Sequence, residues 1–329
     1  MLNLHPDHPE EDVIERAASI IRAGGLVAFP TETVYGLGAD AMNERAIERI
    51  FEAKGRPSDN PLIVHVDDRE KLERVAVEVS EKAEILMEKF WPGPLTLVLK
   101  RGPEVPPPVS AGLPTVAVRM PASRIALALI RRARTPVAAP SANASGRPSP
   151  TAASHVLADL GGRVDMILDG GPTDIGIEST VLDVTADPPI ILRPGWVTAE
   201  RLEEAIGALA RNVSREQLGR SPGTRYRHYS PRARVALVES GAPGLVKEVC
   251  EKYLKEGPVA YLGHTDPDIR DGRFDKIILS ESPGDYARSI YRALRELDAK
   301  NPSVIVVEGI SEGGEGAAVM DRLRRAAGR

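Results

Sequence analysis

The side chains best suited to binding or catalysis lie in a segment that is too rich in proline and glycine to be a long helix or a central strand. Residues 221–231 (SPGTRYRHYSP) contain two prolines and a glycine. The same segment holds two arginines, a histidine and two tyrosines. Linkers that act only as spacers are usually Gly/Ser-rich or Pro-rich and chemically plain. Arginine and aromatic side chains suit anions and flat rings, so this segment is predicted to bind a ligand.

A second loop combines two cations with an amide. Lys54, Arg56 and Asn60 lie in residues 54–61 (KGRPSDNP), and the proline after Arg56 disfavours a continuing helix. Lysine offers a compact charge and arginine a planar fork, which together suit phosphate oxygens. A solvated basic turn is the alternative. We favour an anion site because the loop leads into an apolar strand that carries His65.

Polar groups also stand at the ends of several apolar segments. Arg119 ends one segment, residues 140–146 (PSANASG) follow another, Ser179 precedes a third and Arg193 ends a fourth. Each group alone is ordinary turn or strand-end chemistry. Polar groups that converge at strand ends are how a sheet builds a ligand cleft, so we expect these residues to meet.

The elements that must position these residues follow from the periodicity of apolar residues. In residues 1–206, strands outnumber β-α-β repeats, which predicts a mixed, twisted α+β sheet with flanking helices. After a basic linker (207–233), residues 234–329 alternate short apolar strands with helices, which predicts a small parallel α/β, Rossmann-like domain. The expected first-domain strands are 26–29, 62–66, 95–99, 115–119, 137–139, 166–168, 180–184 and 190–192. The expected first-domain helices are 10–23, 44–53, one or two within 69–88, 124–133 and 152–160. The expected second-domain strands are 235–238, 258–262, 276–279 and 304–307, with helices at 245–256, 284–297 and 317–327.

Bulk composition narrows the class of protein. The chain has 329 residues, 42% hydrophobic and 27% charged, which is typical of a soluble protein of two domains. A net charge of −4 and a pI near 6.0 argue against a dedicated nucleic-acid coat protein. Residues 211–234 nevertheless hold seven arginines and one glutamate. That local excess could face phosphates or form an exposed, solvated arm.

The sequence lacks the motifs of several kinds of binding site, and it lacks the signals for secretion or membrane insertion. Cys250 is the single cysteine, so we expect no intramolecular disulfide and no cysteine-based metal site, and we interpret Cys250 as a small buried residue. The sequence has no phosphate-binding P-loop, no dinucleotide-binding glycine motif and no His-Glu-x-x-His. It also has no secretory signal and no apolar run of membrane-spanning length, which predicts a cytoplasmic protein.

Seven motifs in order resemble the Sua5/YrdC family of threonylcarbamoyl-adenylate synthases. They are FPTETVYGLG (29–38), KGRPSDNP (54–61), FWPGPLT (90–96), TVAVRMP (115–121), APSANASG (139–146), GIEST (176–180) and RPG (193–195). The linker and the α/β tail resemble the longer, two-domain Sua5 form. The resemblance implies synthesis of L-threonylcarbamoyladenylate and pyrophosphate from L-threonine, bicarbonate or CO2, and ATP. The product would supply the N6-threonylcarbamoyl group of adenosine 37 in tRNA, and a separate transferase would move it there.

The resemblance also implies which residues hold L-threonine. Arg119 would be the partner of the threonine carboxylate. The other members of this set are Thr33, His65, Ser179 and the backbone at Ala139. Threonine's amine must be neutral to form a carbamate, and the carbamate oxygen then attacks the α-phosphorus of ATP. Such a transfer needs positioning and charge neutralisation more than a protein nucleophile.

The nucleotide side follows in the same way. Lys54 and Arg56 are expected to act on the phosphates during the reaction. The residues expected to line ATP and its phosphates are Lys54, Arg56, Asn60, Thr115, Ser141, Asn143, Ser149 and Arg193. Tyr226, His228 and Tyr229 would close over the nucleotide as a lid that excludes water. Mg²⁺ is expected to ride on the triphosphate, without a cage of protein ligands.

Three alternatives stay open at this point. A double-stranded RNA or tRNA binding module would use the linker arginines, and its binding would depend steeply on salt. A carbamoyl transferase of the hydrogenase-maturation type uses a related domain, but its cysteine-rich zinc segments have no counterpart in a chain with one cysteine. The second domain could also merely stabilise the first.

Overall fold

The computed structural model describes residues 1–211, 213–214, 217, 219, 228–239 and 244–328. The described strands form two separate sheets, of eleven strands in the first domain and four in the second. Among the described residues, no helix combines the length and the apolar character needed to span a bilayer. The predicted combination of a mixed sheet with a smaller parallel one is confirmed.

The first sheet mixes parallel and antiparallel pairs. Its strands are β1 Leu2–Asn3, β2 Val27–Pro30, β3 Tyr35–Asp40, β4 Ile63–His65, β5 Ala76–Val77, β6 Leu95–Arg101, β7 Thr115–Arg119, β8 Val137–Ala138, β9 Met166–Asp169, β10 Thr180–Asp183 and β11 Ile190–Arg193. They lie in the order β1-β9-β2-β3-β8-β4-β7-β6-β10-β11, with β5 paired to β6. The pairs β4/β7 and β6/β10 are parallel, whereas β2/β3 and β6/β7 are antiparallel. Because β4 and β7 pair His65 with Arg119, two predicted site residues emerge side by side.

Helices pack against this sheet, and one of them, α2, ends where predicted site residues begin. They are α1 Glu11–Arg22, α2 Glu44–Lys54, α3 Arg69–Val75, α4 Glu81–Phe90, α5 Pro107–Ser110, α6 Arg124–Ala133, α7 Ala153–Leu160 and α8 Ala199–Ile206. Helix α2 begins after Asn43, whose side chain accepts from the backbone N–H of Ala46, and ends at Gly55 with φ +61°. That left-handed turn places Lys54 and Arg56 on either side of the helix end.

The second domain contains a parallel four-stranded sheet. Its strands are β12 Arg234–Val238, β13 Val259–Gly263, β14 Phe274–Ile278 and β15 Val304–Glu308, in the order β12-β15-β13-β14. Its helices are α9 Leu245–Leu254, α10 Pro283–Ala299 and α11 Gly316–Ala326. Every residue of β13 and β15 is buried, as expected for parallel strands covered on both faces.

Three strands, β1, β3 and β5, are absent from the predicted set, and β3 is the one that bears on the site. Tyr35–Asp40 is strand β3, which pairs with β2 as a hairpin, although its glycines are typical of a turn. The turn is closed by Thr31, whose Oγ1 accepts from the backbone N–H groups of Thr33 and Val34. Gly38 lies against the Phe29 ring, where a Cβ would come within 2.7 Å of a ring carbon. The glycines that suggested a loop therefore make room for a neighbouring side chain inside the sheet.

The two domains share an apolar cluster at the predicted site loops. Val34 and Ile177 of the first domain pack with the second-domain core around Ile290 and Tyr291. Gly176 has φ +86°, and a Cβ there would come within 2.5 Å of the backbone of α10. Helix α10 therefore presses directly on the loop that leads into Ser179.

Candidate active site

A narrow cavity lies where strand ends of the first domain meet the residues that precede β12. Its volume is about 60 Å³. Cations, hydroxyl groups and apolar side chains share its wall. The lining residues are Thr31, Thr33, Val34, Gly36, Arg56, Ile63, His65, Arg119, Ala139, Pro140, Ser141, Glu178, Ser179, Arg193, His228 and Tyr229. Ten residues of the predicted threonine and nucleotide sets are in this wall, although they come from distant parts of the sequence.

Arg119 is fixed at the end of β7 by two hydrogen bonds and one ion pair. Its Nε donates to the carbonyl of Gly93 at 3.1 Å, and its Nη1 donates to Thr33 Oγ1 at 2.9 Å. Its Nη2 lies 2.6 Å from Glu32 Oε1 in a buried ion pair. A guanidinium has five N–H groups, so two remain for a ligand. The arrangement orients Arg119 toward a carboxylate without using up its donors.

His65 faces the same end of the cavity as a neutral imidazole. It is 3% exposed, and its Nδ1 has no hydrogen-bond partner among the described residues. Burial, followed by the nearby charge of Arg119, lowers the pKa of His65 to about 3. The edge of the Phe29 ring packs against it, with centroids 6.4 Å apart. A buried, unpaired ring nitrogen beside an arginine is suited to a ligand's amine or hydroxyl group.

Arg56 and Lys54 lie differently, although the sequence suggested one shared role. Arg56 lines the cavity and donates to the backbone carbonyls of Asn60 and Pro61, which are neutral partners that leave its charge available. Lys54 does not line the cavity. Its Nζ donates to the carbonyls of Ser141 and Asn143, both at 2.5 Å. Lys54 therefore holds the loop behind the wall.

Arg193 and Ser179 form the opposite side of the wall. Arg193 donates from Nη2 to the carbonyl oxygen of Ser179 at 3.0 Å and to its Oγ at 3.2 Å. Thr96 Oγ1 lies 2.8 Å from the same hydroxyl. Gly195 permits this packing, since a Cβ there would come within 2.2 Å of the backbone nitrogen of Thr180. Ser179 is consequently held in one orientation by both of its neighbours.

Four other predicted nucleotide residues lie outside the cavity wall. Asn60 and Thr115 are buried, and Thr115 begins β7, roughly 13 Å along the strand from Arg119. Asn143 accepts from Ser141 Oγ and donates to the carbonyls of Ala144 and Arg147. Ser149 Oγ donates to Glu178 Oε1. In the structure these side chains support the wall from outside the cavity. Their contact with a nucleotide stays a prediction.

The end of the linker covers the cavity. His228 and Tyr229 are buried at 8% and 4% exposure, and Tyr229 has the left-handed φ of +63°. The Tyr229 ring stacks on Tyr291 of α10 with centroids 5.6 Å apart. Burial, followed by the charges of Arg56 and Lys54, lowers the pKa of His228 to about 3. Tyr226, the third predicted lid residue, lies outside the described residues.

Glu178 is a wall residue to which the sequence analysis assigned no role. Its carboxylate accepts from Ser149 Oγ, from Tyr291 OH at 2.9 Å and from Arg322 Nε at 2.8 Å. Burial raises the pKa of Glu178, but the charges of Arg322 and Arg193 outweigh burial and hold that pKa below its usual range. The glutamate was visible in GIEST, but its arginine partner is 144 residues away. No local pattern signals such a pairing.

The electrostatics of the wall favour an anionic ligand. Burial lowers the pKa of Lys54, of Arg56 and of Arg193, and neighbouring arginine charges lower each of them further. Buried cations that lie close together repel one another, and an anion that binds between them stabilises their charged forms. Within the part of the chain that the structure describes, no group of three or more histidine, cysteine, aspartate or glutamate side chains is placed to hold a metal ion.

Comparisons with known proteins agree with this geometry. A family model, Sua5_yciO_yrdC, described as telomere recombination, matches residues 19–195. A second model, Sua5_C, described as the threonylcarbamoyl-AMP synthase C-terminal domain, matches residues 197–328.

Full-length relatives match as well. The chain is 48% identical to a threonylcarbamoyl-AMP synthase of Pyrococcus abyssi, over 97% of this chain and 95% of that protein. It is 45% identical to a Bacillus subtilis protein of the same name, over 96% and 93%. A crystal structure of P. abyssi Sua5 complexed with L-threonine superposes with a TM-score of 0.94 at 47% identity, over 99% of this chain and 97% of that one. With both family models matched in order along a chain that folds in this way, the protein belongs to the Sua5/YciO/YrdC family and carries the Sua5 C-terminal domain.

Proposed function

We propose that this chain is an L-threonylcarbamoyladenylate synthase, which makes threonylcarbamoyl-AMP and pyrophosphate from L-threonine, bicarbonate or CO2, and ATP. The observation that carries the proposal is that one cavity wall brings together two kinds of group. We assign Arg119, Thr33 and His65 to a threonine half of this cavity and Arg56 and Arg193 to a phosphate half. The first half suits a small zwitterion and the second suits phosphates, as a reaction between an amino acid and a nucleotide requires.

In the threonine half, Arg119 would hold the substrate carboxylate with its two remaining N–H groups. His65, which is neutral because burial lowers its pKa to about 3, would accept a hydrogen bond from the amine or the hydroxyl. A neutral amine adds to CO2 to form a carbamate and releases one proton. With bicarbonate the same carbamate forms with loss of one water and no net proton. The buried wall would limit access of water to the carbamate.

In the phosphate half, a carbamate oxygen attacks the α-phosphorus of ATP. A bond from that oxygen to phosphorus forms, the bond from phosphorus to the bridging oxygen breaks, and pyrophosphate leaves. Arg56 and Arg193 would stabilise the negative charge that moves onto pyrophosphate. The reaction needs no covalent intermediate on the protein.

Mg²⁺ is part of the proposal as a companion of the nucleotide. Both carboxylates near the site are engaged by arginines, Glu32 by Arg119 and Glu178 by Arg322. This fits a metal ion held by phosphate oxygens and water. The ion would supply charge neutralisation on the triphosphate.

His228 and Tyr229 are proposed to act as a lid. A cavity of about 60 Å³ is small beside the roughly 300–1,000 Å³ of typical ligand pockets. ATP therefore enters only if the covering residues shift. After closure they would exclude water, and the product would leave for a transferase that acts on tRNA. A cytoplasmic location is also part of this proposal.

The test is pyrophosphate release from ATP and bicarbonate, with and without L-threonine, with L-serine as a matched amino acid. Release that depends on L-threonine is expected. Arg56→Ala should lower it severely while the fold is kept. Arg49→Ala provides the control, since Arg49 lies on α2, the helix that ends just before Arg56, in an exposed pair with Asp165. ATP binding without threonine-dependent release would refute the proposal.

A further inference from the structure

Glu178 brings the second domain into contact with the cavity wall. Of its three hydrogen-bond donors among the described residues, two come from that domain: Tyr291 on α10 and Arg322 on α11. The third, Ser149, belongs to the first domain. The carboxylate in the wall is therefore oriented mainly by side chains outside the domain that carries it.

Arg322 is held in a single orientation. It is 0% exposed, its Nη1 lies 2.6 Å from Asp321, and its Nη2 donates to the carbonyl of Pro194 at 3.0 Å. Its guanidinium lies over the Tyr229 ring, 5.3 Å from the centroid. A fully buried arginine is costly unless its partners are well placed. These contacts connect Glu178, the lid residue Tyr229 and the loop after Arg193 through one side chain.

A carboxylate without its partner would oppose nucleotide binding at this position. Glu178 lines the same cavity as Arg56 and Arg193, which are the groups assigned to the phosphates. Like charges repel strongly in a buried site, where water screens them poorly. The wall can be cationic toward ATP only when the charge of Glu178 is balanced, and Arg322 supplies that balance at 2.8 Å.

We propose that Arg322 and Tyr291 are positioning residues through which the second domain completes the nucleotide half of the active site, by neutralising and orienting Glu178. The inference rests on the proposed function, because that function supplies ATP as the ligand. It extends the proposal by giving the second domain a defined part in ATP binding. Glu178 also precedes Ser179 directly, so fixing it helps to fix that hydroxyl.

The test compares Arg322→Gln, Glu178→Gln and the double variant in the full-length chain. ATP dissociation constants are measured by calorimetry, and kcat/KM for ATP is measured against pH. Arg322→Gln should weaken ATP binding about tenfold or more, because it leaves a buried unpaired carboxylate. The double variant should recover to within about threefold of wild type, because both charges are gone. Arg324→Gln is the matched control, since Arg324 lies on the same helix in exposed pairs with Glu239 and Glu312.

The pH profile separates this role from a general loss of packing. In Arg322→Gln the buried carboxylate of Glu178 should take up a proton more readily, so ATP binding by that variant should improve as the pH falls from about 8 to 6. Wild type should show no such improvement. A profile for Arg322→Gln that parallels wild type would overturn the inference.

Two further results would overturn the inference. One is unchanged ATP affinity in a folded Arg322→Gln variant, and the other is a double variant that binds ATP as weakly as Arg322→Gln alone. If Arg322→Gln does not fold, the double variant decides alone, because loss of ATP affinity beyond about threefold contradicts charge compensation. The proposed function is judged on wild type. Absence of threonine-dependent pyrophosphate release there refutes the reaction, whereas release with unchanged affinity in Arg322→Gln refutes only this inference.

Discussion

Two buried carboxylates border the site, and the chain neutralises them in different ways. Glu32 pairs with Arg119 at 2.6 Å, and both residues belong to the first domain. Glu178 pairs with Arg322 at 2.8 Å, and this pair joins the two domains. The threonine half can therefore form as soon as the first domain folds. The nucleotide half acquires its charge balance only when the second domain docks.

Among the described residues two ion pairs join the domains, and we expect them to have separate tasks. Arg295 on α10 reaches the buried Asp159 at 2.7 Å, behind the wall, and Arg322 reaches Glu178 in the wall itself. The first pair is expected to hold the domains together and the second to adjust the charge of the site. Substitutions on either side of this division should have effects of decreasing size.

The largest effect is expected for Arg119→Ala. This change removes the arginine that is proposed to bind the threonine carboxylate, and it leaves Glu32 buried without a cation. Threonine-dependent pyrophosphate release should fall by more than about 100-fold, since a charged contact and a charge balance are lost together. ATP affinity should change much less, because Arg119 lies in the other half of the cavity. Steady-state kinetics with each substrate varied would measure both. An equal loss for ATP and threonine would remove the division into halves.

Arg295→Met should reduce stability without altering the site. Asp159 keeps its pair with Arg147 at 2.6 Å but loses its link to the second domain. The free energy of unfolding should fall by about 3 kcal/mol, the lower end for a broken buried pair. ATP affinity of the folded variant should stay within about threefold of wild type. A larger loss would mean that docking in general, and not the charge on Glu178, supports nucleotide binding.

Acid should destabilise both the first domain and the lid. His65 and His228 have pKa values lowered to about 3, mainly by burial, whereas an unfolded histidine has a pKa near 6.5. Between these values only the unfolded chain takes up a proton at each site, so stability falls as the pH drops below 6.5. By pH 5 each histidine should cost of the order of 2 kcal/mol.

Urea unfolding at pH 7.5 and pH 5 measures this loss. His228→Asn should flatten the dependence on pH by removing one of three histidine contributions, since burial also lowers the pKa of His155, to about 4. If wild type and His228→Asn lose the same free energy of unfolding between pH 7.5 and pH 5, folded His228 takes up a proton in this range. It is then not buried in solution.

The smallest effect is expected for Tyr291→Phe, which removes one hydrogen bond to Glu178 but keeps the stacking on Tyr229. Its matched control is Tyr286→Phe on the same helix, where the hydroxyl donates to the carbonyl of Glu308 at 2.6 Å, outside the wall. Each variant should lose about 1 kcal/mol of stability. Only Tyr291→Phe should raise KM for ATP, by roughly two- to fivefold. Thermal unfolding and kinetics on the pair would show whether the two tyrosines differ.

Much of the fold was predictable because its signals are local. Helix α6 was predicted at 124–133 and has those bounds, since Ser123 caps a strongly amphipathic segment. Strand β3 was missed because Gly36 and Gly38 resemble turn residues. The actual role of Gly38, making room for the Phe29 ring, depends on a neighbouring strand.

The sequence predicted which residues form the site, but it did not predict how they are arranged. Residue types in the motifs suggested Arg56 and Arg119, the family resemblance added His65, and the structure places all three in one wall. The same reasoning grouped Lys54 with Arg56, although the Lys54 ammonium points to backbone carbonyls. Side-chain direction at a helix end depends on which acceptors the fold brings near, and those acceptors lie 87 and 89 residues away.

The sequence by itself determined the elements, the family and the chemical character of the cavity, because apolar periodicity, turn residues and motif composition are read over short stretches of chain. Only the tertiary structure decided that Glu178 is neutralised by Arg322. A buried ion pair is stable only when its partners meet within a few ångströms and away from water. That condition is set by how the two domains dock, and no stretch of sequence around either residue contains it.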